Sequence, residues 1–424
     1  MVTTVNSTTE SKNRFNRKIL IVSFLAWTLT NMDQAFFGYA LPGILQEFDL
    51  PLEAAGLILT VSFIVAATMS LFLGVTADRF GRGPMLSIYL AVSALLVGLQ
   101  GVAGGIIMLT IFRALGFGFS TGLAPITNAY VVENVSARVR GIAMGILQCG
   151  YPLGWFLASL IAVPMLTHYG WRVMFFAAFS VIPLAGLFYW LLRDPHASTL
   201  VKPKVAKANL DGSVSTTKVT VKSSVKRLMS EPYRKNSLVS MATYFTFGGA
   251  YAGSAFFFPT FFAETRGYTD AEAARLVGLS NGIGIFGYLL AAFVGEYLLT
   301  RRNTFIIWAL SGTFALLGLL WLSDSRLSDT IWYGLMAALF YGALAVLPVL
   351  TAEIFPQEVR ASALAICIAA PLNLGFAVFP FVVPLVVGMV GWQAGFSIII
   401  CPLLALSAVI ALLLPNRKSG LEVA

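Results

Sequence analysis

The sequence contains little charge, little histidine and little cysteine. Only 11% of its 424 residues are Asp, Glu, Lys or Arg, against roughly 25% in a soluble domain, so it has too little polar surface for a water-facing globule. Its two histidines and three cysteines show neither metal-ligand nor pair spacing, which argues against a metal site, a disulfide framework and an enzyme. We therefore expect no cofactor and no catalytic residues.

Long apolar runs are what the sequence has instead. Hydrophobic residues make up 58% of the chain, and the mean hydropathy is +0.82. The runs are about 20 residues long, enough to cross a bilayer core of roughly 30 Å, and they do not alternate as barrel strands would. We predict an all-α integral membrane protein with about twelve transmembrane helices, over 19–43, 55–77, 84–105, 107–131, 141–164, 171–192, 237–262, 273–299, 303–323, 330–351, 361–387 and 392–415.

Positive charge is distributed unevenly over the loops. Most of the 28 Lys and Arg residues lie in the two tails, in alternate short loops and in the stretch 193–236, whereas the opposite loops carry Arg172, Arg266, Arg275 and Arg326. The positive-inside rule therefore predicts that both termini are cytoplasmic, in the inner membrane of a bacterial cell. No nucleic-acid partner is expected, because neither a folded basic domain nor aromatic interleaving surrounds these charges.

Two motifs occur once in each half of the chain. A Glu–Val–Arg pattern follows the fourth and tenth spans and a Gly–Trp pair opens the sixth and twelfth, at Glu133–Arg140, Glu353–Arg360, Gly170–Trp171 and Gly391–Trp392. The shared register indicates two six-helix repeats, a plan that puts the substrate between the halves near the bilayer midplane. The predicted organisation is a cytoplasmic tail 1–18, a first bundle 19–192, a cytoplasmic linker 193–236 with a short surface helix near 222–230, a second bundle 237–415 and a cytoplasmic tail 416–424.

The loop between the second and third spans carries the pattern G-x-x-x-D-R-x-G-R, formed by Gly74, Asp78, Arg79, Gly81 and Arg82. It resembles the signature loop of the major facilitator superfamily, in which this loop acts as a cytoplasmic latch that favours the outward-open state. Small Gly74 would permit close helix approach, and the charges would form hydrogen bonds between the halves. The plainer interpretation is a solvated turn that obeys the positive-inside rule. The second half lacks the Asp, which leaves Glu296 as the candidate there.

The Glu–Arg motifs after the fourth and tenth spans resemble the charge relay of this superfamily. Glu133 with Arg140 and Glu353 with Arg360 are therefore candidate cytoplasmic gating residues. A Glu at the C-terminal end of a helix opposes the local dipole, so a cation is expected beside it. Alternatively they are exposed ion pairs, each contributing under about 1 kcal/mol.

Two charged residues lie deep inside predicted spans. Asp33 is roughly 21 Å along the first span at 1.5 Å per residue, and Arg113 lies several residues into the fourth. Charges at that depth cost several kcal/mol, so they normally face a cavity or a partner. We predict that Asp33 exchanges protons and that Arg113 binds the substrate anion or takes part in coupling, since its guanidinium can hold a carboxylate bidentately. A purely structural Asp33–Arg113 pair is the alternative.

Within the superfamily, further residues resemble those of the aromatic acid:proton symporters. These are Asp33, Gly38, Pro42, Arg113, Pro125, Glu133, Cys149, Gly150, Pro152, Gly154, Gly170, Trp171, Arg172 and Pro259. The first Asp of that family's D-G-x-D motif is Thr30 here and its Gly is Asn31, and the stretch from Asn31 to Gln34 equally resembles the N-x-D-R opening of the anion:cation symporters. Both families move organic anions, usually inward with protons.

The resemblance implies a proton-coupled symporter that takes up a small organic anion, an aromatic or other carboxylate, by alternating access. We expect protons and the lipid bilayer as its other partners, and a monomeric protein. The alternative is a drug or metabolite:proton exporter on the same fold, since drug antiporters carry a related glycine-rich motif in span five; a receptor would need an appended signalling domain. Polar side chains in spans prefer the bundle interior, and the residues expected to line the path are Asn31, Gln34, Asn128, Gln148, Tyr151, Trp155, Tyr244, Tyr251, Asn281 and Asn373.

Overall fold

The computed structural model describes residues 2–134, 140–192 and 221–416, and in these ranges every regular element is a helix. The first half contains α1 (Val2–Glu47), α2 (Leu52–Phe80), α3 (Arg82–Leu99), α4 (Ile106–Thr121), α5 (Leu123–Asn134), α6 (Arg140–His168), α7 (Trp171–Phe176) and α8 (Val181–Leu192). After the short helix α9 (Val221–Leu228), the second half contains α10 (Arg234–Ala255), α11 (Phe258–Arg266), α12 (Asp270–Phe293), α13 (Arg301–Trp321), α14 (Arg326–Leu339), α15 (Leu347–Ile354), α16 (Gln357–Ala363), α17 (Ala370–Val390) and α18 (Trp392–Ala411).

Eleven segments of the described chain are long and apolar enough to cross a membrane. The prediction of an all-α membrane protein is thereby confirmed. The predicted seventh span, 237–262, has no match among these eleven segments, and its residues belong to α10 and α11. Helix α10 is rich in Ser, Thr and Gly, and 15 of its 22 residues are buried. Because protein rather than lipid surrounds most of this helix, it does not need an apolar exterior.

The predicted linker 193–236 falls within the described residues only from residue 221 onward. There α9 occupies the place of the short helix predicted near 222–230, and it packs on α16 of the second half. Leu228 at its end is fully buried, whereas Val225, Lys226 and Arg227 are exposed. The second bundle begins with α10 at Arg234, slightly before the predicted boundary, because the short turn after α9 leads directly into that helix.

Matching hydrogen bonds in the two halves support an internal duplication. The indole nitrogen of Trp171, at the start of α7, donates to the Glu47 carboxylate at the end of α1, at 2.7 Å. In the second half Trp392, at the start of α18, donates to Glu264 near the end of α11, also at 2.7 Å. The two Gly–Trp motifs thus join the first and sixth spans of each half in the same way.

The most extensive contacts between the two halves are those of α6 with α12 and of α2 with α17. In the second pair, the Thr60 hydroxyl donates to the Ala377 carbonyl at 2.7 Å. In the first pair, a Cβ added to Gly278 would overlap the Ser159 side chain. Glycine at position 278 therefore allows the two backbones to approach closely, as is common between membrane helices.

The halves separate toward one side of the membrane. Gly74 and Gly145 lie fourteen residues from the contacts just described, on the same faces of α2 and α6, since fourteen residues make nearly four turns. A Cβ at either glycine would meet no heavy atom of the described residues within 4 Å. We call the side with Arg79 and Arg301 the basic face and the side with Glu47 the opposite face. Among the described residues, the halves touch toward the opposite face and diverge toward the basic face.

Candidate functional site

The two charged residues deep in the spans meet inside the first half. Asp33 of α1 and Arg113 of α4 form an ion pair in which Nη1 of Arg113 lies 3.6 Å from Oδ1 of Asp33. Arg113 is completely buried and Asp33 is 6% exposed. The Ser93 hydroxyl of α3 also donates to the Asp33 carboxylate, at 3.4 Å. Because 3.6 Å exceeds hydrogen-bond range, the pair is held chiefly by charge.

Aromatic rings surround the Arg113 guanidinium. Its Cζ lies 4.4 Å from the ring centroid of Phe37, 4.8 Å from that of Phe117 and 6.0 Å from that of Phe256. These distances are typical of cation–π contacts. None of its three guanidinium nitrogens donates a hydrogen bond to a described residue. A buried cation with free N–H donors is an arrangement that can receive a carboxylate.

The predicted path residues Asn31 and Gln34 lie beside this pair on α1. The Asn31 amide donates to the Trp27 carbonyl at 2.7 Å and accepts a hydrogen bond from Gln34 at 3.3 Å. Gly154 of α6 packs against the same turns, where an added Cβ would lie 2.6 Å from the Thr28 carbonyl. The glycine-rich part of span five therefore serves close packing of α6 on α1.

A row of aromatic rings crosses from the first half to the second. Between ring centroids, Trp155 lies 5.9 Å from Phe256, and Tyr151 lies 5.8 Å from Tyr251. Tyr251 in turn stacks on Phe376 at 5.8 Å. All three distances are within the range of favourable ring pairs. The structure thus brings together three of the predicted path residues at the boundary of the halves.

Unpartnered hydroxyls lie along this boundary. Tyr251 lies on α10, and Tyr288 lies on α12, the helix that packs against α6. The buried hydroxyl oxygens of both residues make no hydrogen bond with the described residues. Buried polar groups are nearly always hydrogen-bonded, so these hydroxyls are suited to a bound polar molecule. The boundary therefore offers ring faces and hydroxyl groups, with the Arg113 cation adjoining them through Phe256.

The remaining predicted path residues are placed less directly. The Tyr244 hydroxyl accepts a hydrogen bond from Thr351 at 3.2 Å within the second half. The Asn281 amide donates to the Val277 carbonyl of its own helix at 2.9 Å. Both groups thus have partners in their own half. Three further predicted residues are half-buried, namely Asn128, Gln148 and Asn373.

On the basic face, two acidic residues of the second half meet at one arginine. Nε of Arg301 donates to both carboxylate oxygens of Glu353, at 2.9 and 3.0 Å, and Nη2 donates to Glu296 at 2.5 Å. Arg360 donates to the Phe355 carbonyl at 3.3 Å. Glu353 is a predicted gating residue and Glu296 is the candidate latch residue of the second half, whereas Arg301 was not predicted in either role. The cluster can act as an ionic contact that forms or breaks when the basic face changes shape.

The predicted latch residues of the first half lie in and after the last turns of α2, up to the start of α3. Gly81 between the helices has a φ of 96°, a conformation that favours glycine. The Arg79 guanidinium lies 5.4 Å from the Phe80 ring. The side chains of three predicted residues fall outside the described part of the chain, so their roles stay predictions: Asp78, Glu133 and Arg140.

The rings around Arg113 were not predicted as site residues. Phe37 follows Asp33 by four residues, and Phe117 follows Arg113 by four residues. Residues four apart share one face of a helix, so this spacing could have identified both rings. Phe256 belongs to the second half, and no local pattern in the sequence brings it to Arg113.

Two related helical halves with a buried ion pair and an aromatic boundary between them define a secondary membrane transporter. The Major Facilitator Superfamily model matches residues 19–348, and the chain belongs to this family. The predicted family and fold are confirmed, as is the prediction of a transporter rather than an enzyme.

Known relatives refine this assignment. The cis,cis-muconate transport protein of Acinetobacter baylyi is 27% identical and covers 81% of each chain. The gallate transporter of Pseudomonas putida is 28% identical over 81% of this chain and 80% of its own. The solved structure of a D-xylose-proton symporter shares the fold, with a TM-score of 0.73 at 19% identity, over 96% of this chain and 100% of its own. The predicted resemblance to organic-acid transporters of this superfamily is confirmed.

Proposed function

We propose that the protein is a proton-coupled symporter that takes up a small organic anion, an aromatic or other carboxylate, across a bacterial inner membrane. The observation that carries this proposal is the complete burial of Arg113 with no hydrogen-bond acceptor at its guanidinium among the described residues. A substrate carboxylate would supply two acceptors in the bidentate geometry that suits arginine.

The rings beside Arg113 favour a substrate with a flat apolar body. Phe256 links the guanidinium to Trp155, and the row continues to Tyr151 and Tyr251. Ring faces bind planar molecules through stacking and burial. Two relatives are named for muconate and gallate, both of which are carboxylates with conjugated carbon frames. This agreement supports the same chemical class for the present chain.

Proton coupling follows from the single positive charge of Arg113. Asp33 balances that charge at 3.6 Å. When a substrate carboxylate takes up the charge instead, Asp33 becomes a buried anion without a cation, which costs several kcal/mol. Binding of one proton to Asp33 removes this cost. One carboxylate would then travel with one proton, which also removes the electrical penalty of about 2.3 kcal/mol per 100 mV for an anion that enters a negative cell.

Alternating access would proceed by rocking of the two halves about this site. The contact between Thr60 and Ala377 closes the opposite face, while Gly74 and Gly145 are open toward the basic face. With cytoplasmic termini, this arrangement is the inward-open state. The cluster around Arg301 and the loop at Gly81 would meet across the basic face in the outward-open state. Because one chain holds both halves, a monomer contains the complete path.

The test is uptake of labelled benzoate, gallate, cis,cis-muconate and gluconate by purified protein in proteoliposomes, with and without an inward proton gradient. We expect one carboxylate to accumulate when the gradient is present, and this accumulation to disappear in the Arg113→Gln variant. Expulsion of dyes or drugs by a preparation that accumulates none of the acids would contradict the proposal and favour an exporter.

A further inference from the structure

Each half of the protein carries an acidic residue at the start of its second span, on the opposite face. Glu53 lies in the first turn of α2, and Asp270 is the first residue of α12. Glu53 follows Glu47 by six residues, and Asp270 follows Glu264 by six residues. Because Glu47 and Glu264 bind the matching indoles of the two halves, Glu53 and Asp270 are counterparts in the duplicated frame.

Both carboxylates lie against a glycine of the other half. A Cβ added to Gly388 of α17 would lie 2.8 Å from Oε1 of Glu53, and one added to Gly43 of α1 would lie 3.1 Å from Oδ2 of Asp270. The ring of Trp171, which is 5% exposed, covers Gly43 as well, since the added Cβ would lie 2.9 Å from its Cδ1. Asp270 and Gly43 are half-buried, whereas Gly388 is exposed. Closure of the opposite face therefore removes more water from Asp270 than from Glu53.

No cation compensates the charge of Asp270 among the described residues. Its carboxylate takes part in none of their ion pairs and accepts none of their hydrogen bonds. The titratable groups on the elements packed around it have other partners or are exposed to water, namely Glu47, His168, Arg172, Glu264, Arg266, Tyr268, Glu272, Arg275, Arg326 and Asp329. In the closed arrangement this carboxylate is thus an anion that has lost part of its water and gained no partner.

Separation of the halves at the opposite face would change these surroundings. Asp270 would then leave Gly43 and Trp171, which belong to the first half, and meet water instead. The dipole of α12 favours the anion in both arrangements, because Asp270 stays at the N-terminus of that helix. The contact with the first half disfavours only the charged form, since it removes water without supplying a donor or a cation. Binding of a proton to Asp270 therefore stabilises the closed arrangement relative to the open one.

We propose that Asp270 makes closure of the opposite face sensitive to acid, with its neutral form favouring the state in which the halves touch there. This inference rests on the rocking of the halves in the proposed function. With cytoplasmic termini the opposite face meets the outer medium, so external acid would favour the inward-open state even without substrate. The role differs from that of Asp33, because Asp270 lies at the end of a span and carries no proton across the membrane.

The experiment is a distance measurement by pulsed electron spin resonance on the full-length protein in lipid nanodiscs, without substrate. Spin labels replace Gln46 and Leu327, which are exposed near the opposite face in different halves. The background lacks the three native cysteines and carries Asp33→Asn, so that Asp33 does not titrate. We expect the ratio of short to long distances to rise at least about threefold between about pH 8 and about pH 5, since a tenfold change would correspond to about one unit of difference in proton affinity between the two states.

Three substitutions in this background identify the responsible group. Asp270→Asn imitates the protonated acid, so short distances should predominate at both pH values and the dependence on pH should disappear. Glu53→Gln is the matched change in the first half and should alter the ratio less, because water reaches its contact with Gly388. Asp324→Asn removes the same charge from an exposed residue of the same face and should leave the ratio unchanged.

Three results would overturn the proposal. The first is a ratio that does not change with pH while Asp270 is present. The second is a dependence on pH that persists in Asp270→Asn, which would assign it to other groups. The third is an equal effect of Asp324→Asn, which would assign it to the net charge of this face. None of these measurements requires transport, so failed carboxylate uptake by a protein that shows the Asp270-dependent shift would count against the proposed function alone.

Discussion

The two halves of the transporter share their frame but differ in their buried charges. In each half an indole from the sixth span donates to a glutamate at the end of the first span, Glu47 in one half and Glu264 in the other. Asp33 and Ala250 are separated along the chain by as many residues as Glu47 and Glu264, so Ala250 is the counterpart of Asp33 in the second half. Ala250 is fully buried. The acidic member of the ion pair thus has an apolar counterpart.

The basic member of the pair differs between the halves in the same way. Arg113 and Tyr333 are separated by as many residues as the two Glu–Val–Arg motifs, so Tyr333 is the counterpart of Arg113. Tyr333 is 1% exposed, and its ring centroid lies 4.8 Å from that of Phe258. A duplicated scaffold therefore carries an ion pair in one half and uncharged residues in the other. If the proposed function is correct, only the first half can exchange a proton against an anion at this depth, and each chain has a single coupling site.

The largest effect is expected when the guanidinium of Arg113, which has no charged counterpart in the second half, is replaced. Arg113→Lys keeps the charge but loses the planar donor fork that holds a carboxylate bidentately. We expect the initial rate of carboxylate uptake in proteoliposomes to fall about 100-fold or more, because the ion pair with Asp33 is also weakened. Tyr333→Phe is the matched change in the second half and should keep most of the activity. Wild-type uptake by the lysine variant would refute the role of Arg113.

The next effect concerns coupling rather than binding. Asp33→Asn imitates the protonated acid and cannot release a proton, so the proton gradient should no longer drive uptake. Carboxylate exchange between the two sides should continue, because Arg113 remains free for the substrate. External acid should therefore stimulate uptake by the wild type and leave uptake by the variant unchanged. Measurement of uptake and exchange over a range of external pH separates the two, and a variant that is still stimulated by acid would exclude Asp33.

A smaller effect, on the stability of the protein, tests the indole–glutamate hydrogen bond that both halves share. Glu47 accepts hydrogen bonds from Trp171 and, at 2.9 and 2.7 Å, from Arg172, whereas Glu264 accepts from Trp392. Glu47→Gln should therefore lower the free energy of unfolding by about 1–2 kcal/mol after allowance for its partial exposure, and Glu264→Gln by under about 1 kcal/mol. Thermal unfolding of the purified variants measures the difference. A larger loss from Glu264→Gln would contradict this ranking.

The smallest effect concerns the contact between the halves at the opposite face. Thr60→Val removes the hydrogen bond to Ala377 without a large change in shape, and a net hydrogen bond contributes about 1 kcal/mol. We expect a roughly fivefold shift toward the state in which this face is open. Thr68→Val is the control, because the Thr68 hydroxyl bonds the Ile64 carbonyl of its own helix.

Spin labels on either side of this contact, in a background without the three native cysteines, would report the shift as longer distances between the labels. The result would contradict the assignment of this contact if the control variant changed those distances as much as Thr60→Val.

Most of the fold and the centre of the site could be predicted from the sequence. Apolar runs of bilayer length predict spans because lipid leaves a helix few alternatives, and a charge inside such a run stands out, as Asp33 and Arg113 do. The seventh span was also predicted, although α10 is shielded by protein and is rich in Ser, Thr and Gly. Phe256 and Arg301 owe their roles to contacts between distant segments, which no local pattern encodes.

The most direct measurement is the simultaneous flux of protons and labelled carboxylate into proteoliposomes that contain the wild type or the Asp33→Asn variant. Exchange of Asp33 for a substrate carboxylate at Arg113 predicts one proton for each monocarboxylate in the wild type, independent of membrane potential. It predicts carboxylate exchange without proton flux in the variant. The same proton-to-carboxylate ratio in both proteins, or wild-type uptake driven by membrane potential alone, would contradict coupling through this pair.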